Sequence, residues 1–291
     1  MRSWSSTGRP EFIAEPARSD RLVVEERDLL DDAEHLARLF EGADVVIHLA
    51  ANADVRFGLE APRRDLDQNV LVTHSVLEAV RTAGVPELVF SSTGSVYGEA
   101  EIVPTPEDAP FPRQTSLYGA SKVAAESFVA AYCEGFGLRA TVFRFVSILG
   151  AHYTHGHVLD FVAQLTEHPD RLHLLGDGKQ RKSYLEVGDC VAAIVGRLGR
   201  ASGFEVFNLG VDDYCTVDES AGWICARLGV APERTYSGGD RGWIGDNPFI
   251  FLDTAKIRAT GWSPRWSIRE AVERTVDYLV SSTVLGTDAP R

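Results

Sequence analysis

The chain has 291 residues, with 42 acidic side chains against 29 basic ones and a net charge of −13. That balance argues against a nucleic-acid partner, while leaving room for a local basic pocket that holds a small phosphate. Its 44% hydrophobic and 24% charged content is ordinary for a globular protein, and no apolar run approaches the ~18 residues of a membrane span.

Residues 1–20 are polar and carry proline and glycine, so they read as a loop. The segment Met1–Gly8 lacks the apolar core of a signal peptide. Leu22-Val23-Val24 reads as a short strand and ends in the acidic turn Asp28-Leu29-Leu30-Asp31. A helix is expected from about Asp32 to Phe40. Asp44 to Ala51 is a nearly continuous apolar run, which suits a parallel strand covered on both faces. Next comes a long helix with Asn69, Thr73, Leu77 and Val80 along one side. Glu87 to Ser92 is another strand, entering the small-residue turn Thr93-Gly94-Ser95-Val96-Tyr97-Gly98. Prolines 104, 106, 110 and 112 make residues 99–115 a loop. A helix then opens near Tyr118 and runs to about Gly135, and Arg139 to Phe145 is a further strand.

This alternation implies an α/β fold, a doubly wound parallel Rossmann-like sheet with helices on both faces. Ligands of such sheets bind beyond the carboxyl ends of the strands. Ala50-Ala51, Ser92-Thr93 and Phe145 to Ser147 fall at that edge. After Gly150 the texture changes to shorter elements, glycine loops at 176–178 and 238–239, and Trp223, Trp243, Trp262 and Trp266. The expected division is a dinucleotide-binding domain over 1–150, completed by about 183–210, and a smaller α+β substrate lobe from 151–182 and 211–262. A C-terminal helix and tail, 263–291, follow, with Ile268, Val272, Val276 and Leu279 on one stripe. Cys133, Cys190, Cys215 and Cys225 stand at no metal-ligand spacing and read as small core residues in a reducing cytosol.

Tyr118 and Lys122 are four residues apart, so a helix places them on one face. A phenol is a poor base at neutral pH, and an adjacent ammonium group favours its phenolate. Such a pair can move a proton to or from a hydroxyl. The bland alternative is one buried tyrosine and one solvated lysine. His48 ends a buried strand and reads more readily as a core residue than as a base.

Four segments in register resemble the extended short-chain dehydrogenase/reductase family, the NAD-dependent nucleotide-sugar epimerases and dehydratases. They are His48-Leu49-Ala50-Ala51, residues Ser91 to Gly98, Tyr118-Gly119-Ala120-Ser121-Lys122, and Gly176 to Tyr184. The resemblance spans about Gly8 to Leu279 and implies a catalytic role for Thr93, Tyr118 and Lys122. Tyr118 would be the acid/base, Lys122 would tune it and hold the nicotinamide ribose, and Thr93 would bond the reacting hydroxyl. NAD would be held by Asp28, Leu29, Leu49, Ala50, Ala51, Asn69, Ser91, Tyr118, Lys122 and Phe145. The nucleotide sugar, a UDP-hexose, would meet Ser92, Thr93, Ser147, Arg181, Lys182 and Arg241. A cytoplasmic homodimer is the expected assembly.

Two departures qualify the resemblance. Dehydratases of the family follow the threonine with an Asp-Glu pair, whereas Gly94 and Ser95 stand here. That favours epimerisation or simple redox over dehydration. The family also opens with a strand, a glycine-rich turn and a helix that receive the cofactor diphosphate. No such pattern precedes Asp28, and about 30 residues of a βαβ opening are missing from the expected frame. A misassigned start, a truncation, a covering second chain, or natural loss with altered cofactor binding would each account for this. The functional expectation is therefore an NAD-dependent UDP-hexose 4-epimerase. A nucleotide-sugar reductase or dehydrogenase, redox-free acid/base chemistry, and a non-catalytic binding or scaffold protein are the rivals.

Overall fold

The computed structural model describes residues 9–30, 33–53, 55–58, 60–111, 113–242, 247 and 249–282. The expectations on Met1–Gly8, Asp31–Asp32, Trp243 and the tail after Ser282 lie outside them. In chain order the helices are α1 (Ala33–Phe40), α2 (Arg63–Asp65), α3 (Val72–Ala83), α4 (Leu117–Phe136), α5 (His157–Glu167), α6 (Val187–Arg197), α7 (Val217–Leu228), α8 (Ala255–Arg258) and α9 (Ile268–Ser281). The strands are β1 (Val46–His48), β2 (Glu87–Thr93), β3 (Arg139–Phe145), β4 (Ser147–Leu149), β5 (Arg171–Leu174), β6 (Arg181–Lys182), β7 (Tyr184–Glu186), β8 (Phe204–Leu209), β9 (Cys215–Thr216), β10 (Glu233–Tyr236) and β11 (Phe249–Ile250).

A parallel sheet in the order β1-β2-β3-β8 carries the fold. Strands β2 and β3 are apolar throughout their centres because both of their faces are covered. One face presents Leu88, Phe90, Ala140, Val142 and Val206 to α1, α3 and α4 through Leu36, Val76, Leu77, Val80, Ala125 and Val129. The opposite face presents Val89, Phe143 and Phe207 to a second core that includes Ala193 and Ile194 of α6 and Val272 and Val276 of α9. The register ends β2 and β3 together, with Thr93 beside Phe145 and Phe145 beside Leu209. The carboxyl ends of three strands thereby meet at one edge. The remaining strands form small sheets, β10-β5, β11-β6-β9 and β4-β7.

The strand expected at Leu22-Val23-Val24 does not form. The segment is extended but unpaired, and Val23 is 81% exposed. Its β-branched composition suits a strand, but a strand needs a neighbour to receive its N–H and C=O groups, and none lies beside it among the described residues. Strand β1 tells the same story from the other side. Ile47 is in register with fully buried Val89, yet it is 43% exposed, because nothing described covers that face at β1.

The expected long helix before Ala83 is a composite. After α2 the chain widens into a π-helix over Leu66–Leu71 before α3. Such bulges shift side chains out of the α-helical register and recur at functional sites. Here the wide turn carries Asn69 into the interior, where it is almost wholly buried.

Candidate active site

Helix α4 begins where the sequence places it. Ser116 is its N-cap, and its hydroxyl accepts a 3.0 Å hydrogen bond from the Gly119 amide. This cap fixes the start of the helix, whose first two turns carry Tyr118, Ser121 and Lys122. All three are buried against the end of β2. Lys122 Nζ donates to the Ser91 carbonyl at 2.9 Å and sits 4.9 Å from the centre of the Phe90 ring. Thr93, the last residue of β2, bonds the Tyr118 phenol. It also caps the turn after it, where its oxygen accepts from the Ser95 amide at 3.1 Å. The structure thus brings Ser91, Thr93, Tyr118 and Lys122 together.

The electrostatics correct one expectation. Lys122 does not bring Tyr118 toward phenolate. Burial pushes the phenol up to about 12, the Thr93 hydrogen bond opposes this, and the Asp65 carboxylate adds to the rise. Burial also brings Lys122 down to about 8, against the pull of the Glu126 and Asp65 carboxylates. Desolvation is the largest effect on each of the two groups. Burial, with some help from Lys122, holds His48 down at about 3, so it is neutral. Its Nε2 faces Thr73 Oγ1 at 3.1 Å, which is the environment of a core histidine.

Two buried networks support the pair, and neither is among the residues expected from sequence to act there as a set. In the first, Asp65 Oδ1 accepts from Asn52 Nδ2 at 2.7 Å and from Asn69 Nδ2 at 3.3 Å. Asn69 Nδ2 also donates to Ser121 Oγ at 2.8 Å, and Ser121 Oγ donates to the Tyr118 carbonyl at 2.7 Å. In the second, Arg144 Nη2 donates to Glu126 Oε2 at 2.7 Å, with both side chains almost fully buried. Ser92 donates to the other Glu126 oxygen. Arg144 also donates to the Tyr97 hydroxyl at 2.6 Å, and Tyr97 to Asn208 at 2.9 Å. The spacings of four between Asp65 and Asn69 and between Lys122 and Glu126 are a usable signal for both.

The other expected cofactor residues lie around this centre. Leu49 is 56% exposed, Ala50 is exposed and Ala51 half-buried, so small side chains leave the backbone approachable where β1 ends. Asn69 accepts a 2.8 Å bond from the Asn52 amide. Ser91 donates its hydroxyl to the His48 carbonyl at 3.2 Å. Asp28 and Leu29 form a half-buried turn ahead of α1, in which Asp28 accepts from the Leu30 amide. Phe145 is half-buried and stacks on Phe143. A buried phenol and ammonium beside an open apolar ledge fit the ribose and nicotinamide half of a dinucleotide. Among the described residues no glycine-rich turn stands beside β1 to take a diphosphate.

On the substrate side, Ser147 is exposed at the start of β4. Ser92 is turned away into Glu126. Arg181 lies over the Phe249 ring at 3.8 Å and near Tyr214 at 5.5 Å. Lys182 donates to the Asn247 carbonyl, and Arg241 pairs with Glu99 at 2.7 Å. The three cations are thus held by protein partners.

Comparison with known proteins places this geometry. Residues 6–210 match the family described as the NAD dependent epimerase/dehydratase family. The UDP-glucose 4-epimerase of Corynebacterium glutamicum is 31% identical over 92% of this chain and 84% of its own length. A crystal structure of a UDP-galactose 4-epimerase superposes with a TM-score of 0.82 at 34% identity, covering 94% of this chain and 88% of its own. The dTDP-glucose 4,6-dehydratase of Streptomyces venezuelae, solved with NAD bound, superposes at 0.86 with 25% identity over 97% of this chain and 86% of its own. The chain therefore belongs to the NAD dependent epimerase/dehydratase family.

Proposed function

We propose that the chain is an NAD-dependent nucleotide-sugar epimerase that inverts C4 of a UDP-hexose. Tyr118 takes the proton of the sugar hydroxyl and later returns it. Thr93, bonded to that phenol, orients the same hydroxyl. Lys122 holds the ribose of the cofactor beside Tyr118. NAD, when bound, supplies the reversible oxidation of the sugar carbon. Tyr118, whose pKa burial raises, would be favoured as the phenolate by a positive charge that a bound cofactor brought near it.

The observation that carries the choice of epimerisation over dehydration is the packing at Gly94. A Cβ there would sit 2.8 Å from Ile250 Cγ2 and 3.3 Å from the Phe145 carbonyl. The two residues after Thr93 are Gly94, where a side chain is crowded, and Ser95, so neither offers an acid for water loss from the sugar. Ser147, Arg181, Lys182 and Arg241 would receive the nucleotide diphosphate, since cations at the rim of the sugar site suit phosphate oxygens. The substrate lobe would be residues 151–182 and 211–262. A cytoplasmic homodimer fits the four free cysteines and the exposed Phe128 and Phe136 on α4.

The test is turnover of UDP-galactose by the purified protein with NADH absorbance followed in the same cell. Interconversion with UDP-glucose at constant absorbance, and release of a nicotinamide nucleotide on denaturation, supports the proposal. Steady accumulation or loss of NADH marks a reductase or dehydrogenase instead, and absence of any bound or required nicotinamide nucleotide defeats the reading.

A further inference from the structure

Asp65 is a buried acid that the proposed chemistry does not use. It stands at the end of α2, one residue before the π-helix, and is 1% exposed. One of its oxygens receives both Asn52 and Asn69, at 2.7 and 3.3 Å. These partners come from different parts of the chain, the loop after β1 and the π-helix before α3. Asn69 then reaches Ser121 at 2.8 Å, and Ser121 bonds the carbonyl of Tyr118 at 2.7 Å. A continuous set of side-chain hydrogen bonds therefore joins the end of β1 to the first turn of α4.

We propose that Asp65 is a positioning residue for Tyr118 and Lys122: its carboxylate gathers Asn52 and Asn69, and Asn69 passes that constraint through Ser121 to the turn that carries Tyr118. The kinetic consequence rests on the epimerase reading above; the structural and titration consequences do not. Position matters here because a displacement of about 1 Å at a reacting group can cost about 100-fold in rate. Networks of this kind also act as a unit, so removing the central acceptor loosens every member.

The carboxylate adds a charge to its geometric role. It acts on Tyr118 and Lys122 of α4 and favours the protonated form of both. Glu126, one turn further along α4, acts on Lys122 in the same sense. His48 of β1 feels Lys122 and stays neutral.

The closing experiment compares Asp65→Asn with Asp65→Ala. Asparagine keeps an acceptor for Asn52 and Asn69 but removes the charge. Alanine removes both. The Tyr118 phenol is titrated by difference absorbance against the same protein carrying Tyr118→Phe, which needs no turnover. Asp65→Asn is expected to move that titration to lower pH. It should also move the alkaline-favouring limb of the UDP-galactose rate profile the same way, with kcat at the optimum held within about threefold. Asp65→Ala is expected to lower kcat about 10- to 100-fold with KM little changed. Ser121→Ala cuts the link without emptying the space at Asp65. It should lower kcat in the same direction while leaving the titration in place, and it serves if Asp65→Ala does not fold. Either of two results overturns the proposal: an unmoved Tyr118 titration in Asp65→Asn, or equal losses of kcat in Asp65→Asn and Asp65→Ala. A wild-type protein that turns over no UDP-hexose defeats the epimerase reading alone, because the titration still decides the role of Asp65.

Discussion

Lys122 of α4 donates to the carbonyl of Ser91 in β2 at 2.9 Å. This bond pins the lysine to the end of the strand, 4.9 Å from the centre of the Phe90 ring. Burial removes water from the lysine, and its pKa falls to about 8 from an ordinary 10.5, against the pull of the Glu126 and Asp65 carboxylates. The group therefore loses its proton over a pH range where a surface lysine stays charged.

That shift has a sign that can be checked. The folded state favours neutral Lys122, so the group makes folding least favourable below about pH 8 and stops penalising it as pH rises toward 10.5. Lys122→Met removes the charge. It is expected to raise stability to denaturant at pH 7 while abolishing ribose holding, read as a loss of nicotinamide nucleotide retained through purification. Unchanged retention would contradict the role given to Lys122.

Acid should act through two histidines. His48 and His157 are held at about 3, against an ordinary 6.5, because burial excludes their charged forms. The unfolded chain then binds more protons than the folded one between about pH 3 and 6.5. Stability is fully present above pH 6.5 and falls as pH drops, by up to ~1.4 kcal/mol per pH unit for each histidine. His157 Nε2 and Ser220 Oγ lie 2.8 Å apart, a contact that glutamine can imitate. His157→Gln should flatten the fall between pH 6 and 4 in urea titrations. An unaltered slope would refute this account of acid sensitivity.

The pair Glu126 and Arg144 is buried on both sides. Removing one partner leaves a charge without compensation, at a cost of roughly 3–5 kcal/mol. Glu126→Ala should lose about that much in equilibrium unfolding, and Glu126→Gln should lose less because Ser92 and Arg144 keep a bonding partner. A loss under 1 kcal/mol for alanine, on the order of an exposed pair, would show that the network carries little stability.

Gly94 offers a steric test. A methyl group added there would lie 2.8 Å from Ile250 Cγ2 and 3.3 Å from the Phe145 carbonyl, so Gly94→Ala forces Ile250 to shift. Overpacking of this sort costs about 1–3 kcal/mol. Gly94→Asp should lose at least as much stability and gain no dehydratase activity, which is measured by formation of a 4-keto-6-deoxy sugar.

How far the sequence reached depended on the range of the interaction. Tyr118, Lys122 and the cap Ser116 lie within one helix, where fixed geometry converts spacing into proximity. The apolar runs at β2 and β3 likewise announce strands covered on two faces. Leu22 to Val24 have strand-like composition, yet pairing is a property of two segments and cannot be read from one. Asp65 reaches Asn52 across 13 positions of chain, and Asn69 reaches Ser121 across 52. The π-helix that turns Asn69 inward has no simple periodic signature. The pKa of Tyr118 departs from its expected direction for a related reason. Adjacency to Lys122 is written in the spacing, but burial, which sets the larger effect, is written only in the packed structure.

The most direct test of the central claim is UDP-galactose turnover by Tyr118→Phe, with folding checked by thermal unfolding. Loss of a positioned acid/base costs about 10²–10⁴-fold. The predicted result is a drop in kcat of that size with wild-type melting and retained nicotinamide nucleotide. A variant that converts UDP-galactose to UDP-glucose at the wild-type rate would contradict it.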